Sequence, residues 1–387
     1  MRICYLANAG SVHFIRWYEY FINRGHEVYL ISGDSSRLEY RIDVPGLKVF
    51  YLPERKLKNK ILSVSINLIR LPFIYSKLKK ILYEIKPDIV HAHQVHPYGF
   101  WAALTNFTPF IVTPIGSDVI IYAMRYRIYR KMAKYVFNKA NIVTGDSLVL
   151  KKCCLKIGLK DDKYYLIQNG VNLSIFTPNK DGSEKLLRNK LGIPADAPIV
   201  FYARGFTPLY NVDKIIQAIP AVLKEIPSCK FLFARHFGYM DNILRGLVKK
   251  INVSDAVIFL GFIQHRDMPK FMKISNIFIS VPSSDSSPSS IYEAMACGVP
   301  TIISKLPWTD YAMRHLQNTY MIDKINPQSI SDAIIHLLTN SGLQRKIKRG
   351  GYETVKKHFC YHSNMKYMEK IMLQLVENHY ASTSSKP

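Results

Sequence analysis

Short apolar runs alternate with stretches of helical period along nearly the whole chain. The runs predict strands over residues 3–7, 28–32, 47–52, 89–93, 110–113, 142–145 and 165–167, with helical stretches such as 15–24 and 98–106 between them. Strands that are apolar throughout and separated by helices belong to a parallel sheet covered on both faces. The polar, turn-rich stretch 177–183 interrupts this pattern and reads as an interdomain linker. Alternation then resumes, with strands over 199–203, 230–234, 257–260, 277–281, 299–303 and 319–322, and helices over 212–224, 289–296 and 327–338. The last part is helical through 344–358 and 363–378, ahead of a frayed tail over 382–387. The pattern predicts an α/β chain of two doubly wound domains, residues 1–175 and 176–360, and a C-terminal helix in 361–387 that packs back toward the first domain. Ligands on such sheets sit at the carboxyl ends of the strands.

Composition narrows the class. A chain of 387 residues, 48% of them hydrophobic, suits two packed domains. No apolar run approaches the ~18 residues that span a bilayer. The start, Met1 to Asn8, reads as a buried strand and not as a signal peptide. The expected location is therefore cytoplasmic. The six cysteines (Cys4, Cys153, Cys154, Cys229, Cys297 and Cys360) form no Cys-x-x-Cys pair and suit a reduced core.

The formal net charge of +25 attracts polyanions: nucleic acid, an anionic membrane or phosphorylated ligands. Ile74, Leu78, Ile81 and Ile85 recur at helical spacing among Lys77, Lys79, Lys80 and Lys86. Met124, Ile128 and Met132 do likewise among Arg125, Arg127, Arg130, Lys131 and Lys134, with Tyr122, Tyr126 and Tyr129 interleaved. Basic, aromatic-rich amphipathic helices rest on anionic membrane surfaces. The competing reading is a core-facing helix with a solvated outer side.

The most informative stretch is Asp285-Ser286-Ser287-Pro288-Ser289-Ser290-Ile291-Tyr292-Glu293, which follows a strand and opens a helix. Ser289 or Ser290 suits the N-cap, with Glu293 in the first turn. The amides of Ser289, Ser290 and Ile291 would then face an anion such as a diphosphate, and Glu293 could accept hydrogen bonds from vicinal hydroxyls. A capped structural helix, with Glu293 compensating its dipole, explains the same residues.

Together with the Ala294-Met295-Ala296-Cys297-Gly298-Val299-Pro300 that follows, this stretch resembles the donor-binding signature of the retaining GT-B glycosyltransferases of the family 4 type. The resemblance implies two Rossmann-like domains facing each other across a cleft, with the nucleotide-sugar donor on the second and the acceptor on the first. It assigns the donor ribose to Glu293 and the transferred sugar to Asp285, where family members usually carry the longer Glu. It assigns the leaving diphosphate to Arg204, in the stretch 202–213 at the end of the second domain's first strand. The Lys-Gly that normally follows that Arg is absent, and Tyr210-Asn211 stands near its place. Arg235 and His236 are possible helpers of Arg204. Phe259-Leu260-Gly261-Phe262-Ile263 resembles the segment whose backbone meets the nucleobase, and Asn169-Gly170 the interdomain hinge.

In the first domain, Asn8-Ala9-Gly10-Ser11-Val12-His13 is similar to the loop that faces acceptor and donor phosphates. Gly10 allows close backbone approach, and His13 is a candidate partner of the acceptor. Ile115 stands where members often carry a His, leaving Asp118 as the polar candidate there, with an N-cap role in competition. His91, His93 and His96 cluster at a strand end, but a fourth metal ligand is not evident, and the resemblance implies an enzyme without metal or cofactor. The expected partners are a nucleotide sugar, a lipid-linked or saccharide acceptor and an anionic membrane surface, without nucleic acid. The expected setting is lipopolysaccharide, capsule or exopolysaccharide assembly. The alternatives are a nucleotide-sugar epimerase on the same fold, a basic nucleic-acid-binding protein and an inactive regulatory subunit.

Overall fold

The computed structural model describes residues 1–9, 12–33, 44–52, 69–179 and 182–384. The chain folds as two compact units: Met1–Gln168 together with the chain from Ser363 onward, and Asn169–His362. The second unit thus begins ahead of the polar stretch expected as the linker. Phe176, just before that stretch, is buried in the second unit's core, and Ser183, at its end, opens the helix Ser183–Lys190. Asn169-Gly170 lies at this crossing. Gly170 has φ +68°, and a Cβ there would come within 2.7 Å of Tyr361 backbone atoms, so only glycine fits. Val171 bridges Cys360, so the segments where the chain enters and leaves the second unit run side by side.

In the first unit the strands are β1 (Arg2–Leu6), β2 (Glu27–Ser32), β3 (Lys48–Tyr51), β4 (Ile89–His93), β5 (Phe110–Thr113), β6 (Ile142–Gly145) and β7 (Tyr164–Leu166). They form one sheet in the order β3-β2-β1-β4-β5-β6-β7, with every pairing parallel. The second unit repeats the design with β8 (Ile199–Phe206), β9 (Lys230–Gly238), β10 (Val257–Gly261), β11 (Ile277–Ser280), β12 (Thr301–Ser304) and β13 (Tyr320–Ile322). Its order is β10-β9-β8-β11-β12-β13, also parallel. Each apolar run of the sequence forms a strand; burial on both faces demands continuous apolar side chains in the central strands, while the edge strands β3 and β10 are only partly covered. In each sheet the order reverses direction beside the first strand, between β1 and β4 and between β8 and β11. Such a switch point opens a crevice at the carboxyl ends of its two strands.

The C-terminal helix Tyr361–Ser384 runs into the tail expected to fray over 382–387, of which 385–387 lie outside the described residues. Its buried Glu369 accepts from His26 Nε2 at 2.8 Å, Tyr20 Oη at 3.1 Å and Arg24 Nε at 3.3 Å, and Tyr380 Oη donates to Asp88 at 2.9 Å. All of these residues belong to the first unit.

The two basic amphipathic stripes fare differently. Ile74, Leu78, Ile81 and Ile85 sit on the helix Leu71–Ile85 and are buried in the sheet-packing core, so this stripe faces inward. The second stripe is not one helix: the chain is extended at Tyr126 (φ −113°, ψ 127°), between a π-type turn Asp118–Ala123 and the helix Arg127–Lys139. That helix turns Ala133, Val136 and Phe137 inward and leaves Ile128 exposed. Among the described residues no helix is long and apolar enough to cross a membrane.

Candidate active site

The second unit's switch point carries the charge. Arg204 is on β8, and its guanidinium donates from Nη2 to Asp285 Oδ2 at 2.8 Å and from Nη1 to Ser290 Oγ at 3.2 Å. Nη2 also lies 3.3 Å from Tyr210 Oη. Both charged side chains are largely shielded from solvent, at 13% and 14% exposure. Burial works against the charge on Arg204, but Asp285 and then Tyr210 outweigh it, and its pKa stands above the ordinary value. Asp285 follows β11, and its second oxygen accepts from the Ser286 amide at 2.9 Å. The loops after β8 and β11 are tied together: Asn211 Nδ2 donates to Val281 O and Ser283 Oγ, each at 2.9 Å, and the Ser283 amide donates to Leu209 O at 2.8 Å.

Helix Ser289–Ala296 starts beside this ion pair. Its N-cap is Pro288, without a side-chain cap, so neither Ser289 nor Ser290 has the expected capping role. The Ser290 hydroxyl is drawn to Arg204 instead. The amide of Ile291 donates to Pro288 O at 3.1 Å, and its side chain is fully buried, which removes Ile291 from the expected anion-facing set. The amides of Ser289 and Ser290 remain at the positive end of the helix. Glu293 lies beyond the first turn, three residues after Ser290 and therefore on the same helix face. It is buried, and its Oε1 lies 2.9 Å from His265 Nε2. His265 is a feature that motif reading missed. It follows Ile263 by two residues, within reach of the segment already singled out, and packs against Phe176 with ring centroids 5.2 Å apart. Ile263 itself buries its side chain in the core just past β10.

Arg235 is engaged elsewhere, with Asp241 at 2.7 Å, so the expected help to Arg204 is not formed. His236 lies on β9, and its side chain is outside the described residues.

At the first unit's switch point, Gly10 lies outside the described residues, and His13 is on the helix Val12–Asn23 with its side chain likewise outside them. Asp118 is fully described. The helical N-cap position is Ser117, so Asp118 does not cap in the expected sense. It is buried and accepts three backbone amides: Val95 at 2.7 Å, Ile115 at 3.1 Å and Val119 at 3.1 Å. Burial nevertheless raises its carboxyl to about 6. This arrangement braces the loops after β4 and β5, and it commits both carboxylate oxygens to the backbone.

His91 and His93 pack together under the first helix with ring centroids 4.4 Å apart, and His91 Nε2 is 2.7 Å from Thr113 Oγ1. Burial lowers His91 to about 3 and His96 to about 4, and holds His93 well below the ordinary range, so all three are neutral. Among the described residues no group of three or more His, Cys, Asp or Glu side chains could hold a metal ion.

Two family models match the chain: glycosyl transferase 4-like over residues 2–147 and glycosyl transferases group 1 over residues 183–354. The chain is 21% identical over 350 residues to N-acetyl-alpha-D-glucosaminyl L-malate synthase of Bacillus anthracis, covering 87% of this chain and 86% of that protein. It is 21% identical over 383 residues to alpha-monoglucosyldiacylglycerol synthase of Acholeplasma laidlawii, covering 94% and 92%. A crystal structure of Anabaena HepE in complex with UDP superposes with a TM-score of 0.80 at 15% identity, covering 97% of this chain and all of that one. A structure of the same protein holds UDP-glucose. The protein is a glycosyltransferase of GT-B fold, and within that fold it belongs to the family 4 type.

Proposed function

We propose that the protein moves a sugar from a nucleoside-diphosphate sugar to a hydroxyl acceptor, with retention at the anomeric carbon and without a metal ion. One observation carries this reading: Arg204, at the switch point of the second sheet, is bonded to the first turn of the helix that carries Glu293. A guanidinium and two helix amides suit a diphosphate. A buried carboxylate on the same helix face suits the vicinal hydroxyls of a ribose. Asp285 then serves the transferred sugar, after the diphosphate takes its place on Arg204.

In this reading the bond between the anomeric carbon and the diphosphate oxygen breaks, and its electron pair passes to the diphosphate. Arg204 and the helix terminus stabilise the charge that develops there. The acceptor oxygen bonds to the same face of the sugar, and the departing diphosphate takes the acceptor proton. The ligands in the HepE structures favour a uridine donor as the first to test.

The acceptor is proposed to be lipid-linked, with the first unit resting on an anionic membrane during envelope or exopolysaccharide assembly. Its support is the exposed set Ile121, Tyr126 and Ile128 among Arg125, Arg127 and Lys131, together with a relative named for a diacylglycerol product.

A thermal-shift screen against UDP, GDP, ADP and CMP and their sugars tests the donor. The expected result is stabilisation by one nucleoside diphosphate, its release from the matching sugar in the presence of a chelator, and an α-configured product from an α-configured donor. Inversion at the anomeric carbon, or full dependence on added divalent cation, overturns the corresponding part. No response to any of the nucleotides overturns the whole.

A further inference from the structure

The loop after β8 departs from its family's pattern at Tyr210-Asn211, where Lys-Gly is usual, and the geometry shows what the departure does. Asn211 has φ +51°, the left-handed backbone that glycine adopts most readily. It therefore fills the glycine's place, and Tyr210 fills the lysine's. The Tyr210 ring lies under the guanidinium, 4.8 Å from the Arg204 carbon to the ring centroid, and its hydroxyl is 3.3 Å from Nη2. Phe237 packs edge-on against Tyr210 at 5.8 Å. Gly205 leaves room for the pair: a Cβ there would come within 2.6 Å of Phe237 and 3.0 Å of Tyr210. The side-chain bonds of Asn211 to Val281 and Ser283 anchor the same loop to the end of β11.

We infer that Tyr210 is a positioning residue that holds Arg204 by its aromatic face, so that one fixed guanidinium meets the diphosphate without a lysine beside it. The cation is attracted to the ring face, and the ring limits its motion without competing for phosphate. Asp285, the anionic partner of Arg204, does compete. Without the ring the guanidinium is held by Asp285 and the Ser290 hydroxyl, and the diphosphate has to displace a more complete ion pair. The effect falls on the phosphate that Arg204 faces, so it distinguishes nucleoside diphosphates from monophosphates. This inference rests on the reading of the site as a diphosphate site.

The test is calorimetric titration of the full-length protein with UDP and UMP, or with the diphosphate and monophosphate of whichever base binds. Tyr210→Leu keeps apolar volume and removes the ring face, and Tyr210→Phe keeps the face. The expected result is UDP affinity reduced about tenfold in Tyr210→Leu, UMP affinity unchanged, and Tyr210→Phe within about twofold of the parent for both. Equal losses for UDP and UMP would show a merely structural residue and overturn the inference. So would unchanged UDP binding in Tyr210→Leu, or a loss in Tyr210→Phe as large as in Tyr210→Leu. If the parent protein binds no nucleoside diphosphate, the proposed function fails first and this inference with it. Normal binding by the parent with an indifferent Tyr210→Leu sinks this inference alone.

Discussion

The imidazole of His265 stands 2.9 Å from the carboxylate of Glu293, the one largely open to solvent and the other buried. The pair fixes where the carboxylate points. An ionised carboxylate offers about four lone-pair positions, so Glu293 can keep His265 and still accept hydroxyl hydrogens.

Glu293→Gln removes the charge and keeps the shape. Hydrogen bonds to charged groups are worth about 1.5–3 kcal/mol, so nucleoside diphosphate affinity is expected to fall roughly ten- to a hundredfold. Titration with the 2′-deoxy nucleotide supplies the control. The parent protein should bind it more weakly than the ribonucleotide, and Glu293→Gln, which keeps one neutral acceptor, should show a smaller preference. A variant that keeps the parent's full preference for the ribonucleotide contradicts the ribose assignment.

Asp118 makes the first unit sensitive to pH. Burial raises its carboxyl from an ordinary 3.8 to about 6, despite the hydrogen bonds from Val95, Ile115 and Val119. Between those values the folded protein binds a proton that the unfolded chain has released. Stability from this group therefore falls as pH rises through the window. The difference is about 3 kcal/mol for a shift of this size. Urea unfolding of the parent protein and Asp118→Asn should show the parent gaining on the variant by that order between pH 7 and pH 4. A gap that stays constant over this range means that Asp118 does not titrate there.

Glu369 works in the opposite sense. Burial alone would raise its carboxyl, but hydrogen bonds from His26, Tyr20 and Arg24 outweigh it, and the pKa lies below the ordinary 4.5. Its contribution is present above the unfolded chain's pKa and disappears as pH falls through the folded one. Glu369→Ala is expected to cost the first unit about 2 kcal/mol at pH 7, and less in acid. Limited proteolysis should cut the C-terminal helix of the variant faster than that of the parent. Equal cutting would show that the contacts of Glu369 do not hold the helix.

Ile121, Tyr126 and Ile128 are 52%, 42% and 51% exposed, beside the exposed cations Arg125, Arg127 and Lys131. If this surface rests on an anionic membrane, each cation contributes on the order of 1 kcal/mol. The double variant Arg127→Gln, Lys131→Gln should then bind phosphatidylglycerol vesicles roughly thirtyfold more weakly at low salt. Sedimentation with neutral phosphatidylcholine vesicles is the comparison, and equal binding to both compositions removes the electrostatic reading.

The parallel sheets were legible because burial on both faces forces apolar runs whose length and spacing survive in linear order. Ile89–His93 and Phe110–Thr113 begin and end where the runs do. β8 and β9 run further than their apolar runs, to Phe206 and Gly238, because main-chain pairing between them carries strand structure past the end of the apolar pattern. The helix start at Ser289 was legible too, but its cap was not: Arg204 captures Ser290, and that partner is remote in sequence.

Sequence alone determined two runs of strand and helix, and the residue types that could meet a nucleotide. Tertiary structure decided which of them meet. Arg204 and Asp285 are 81 residues apart, yet they share a hydrogen bond because β8 and β11 are neighbours in the sheet while β9 and β10 turn away to its other side. It also decided that the carboxylate of Asp118 is spent on three backbone amides, since a buried main-chain donor must find an acceptor wherever the fold brings one near.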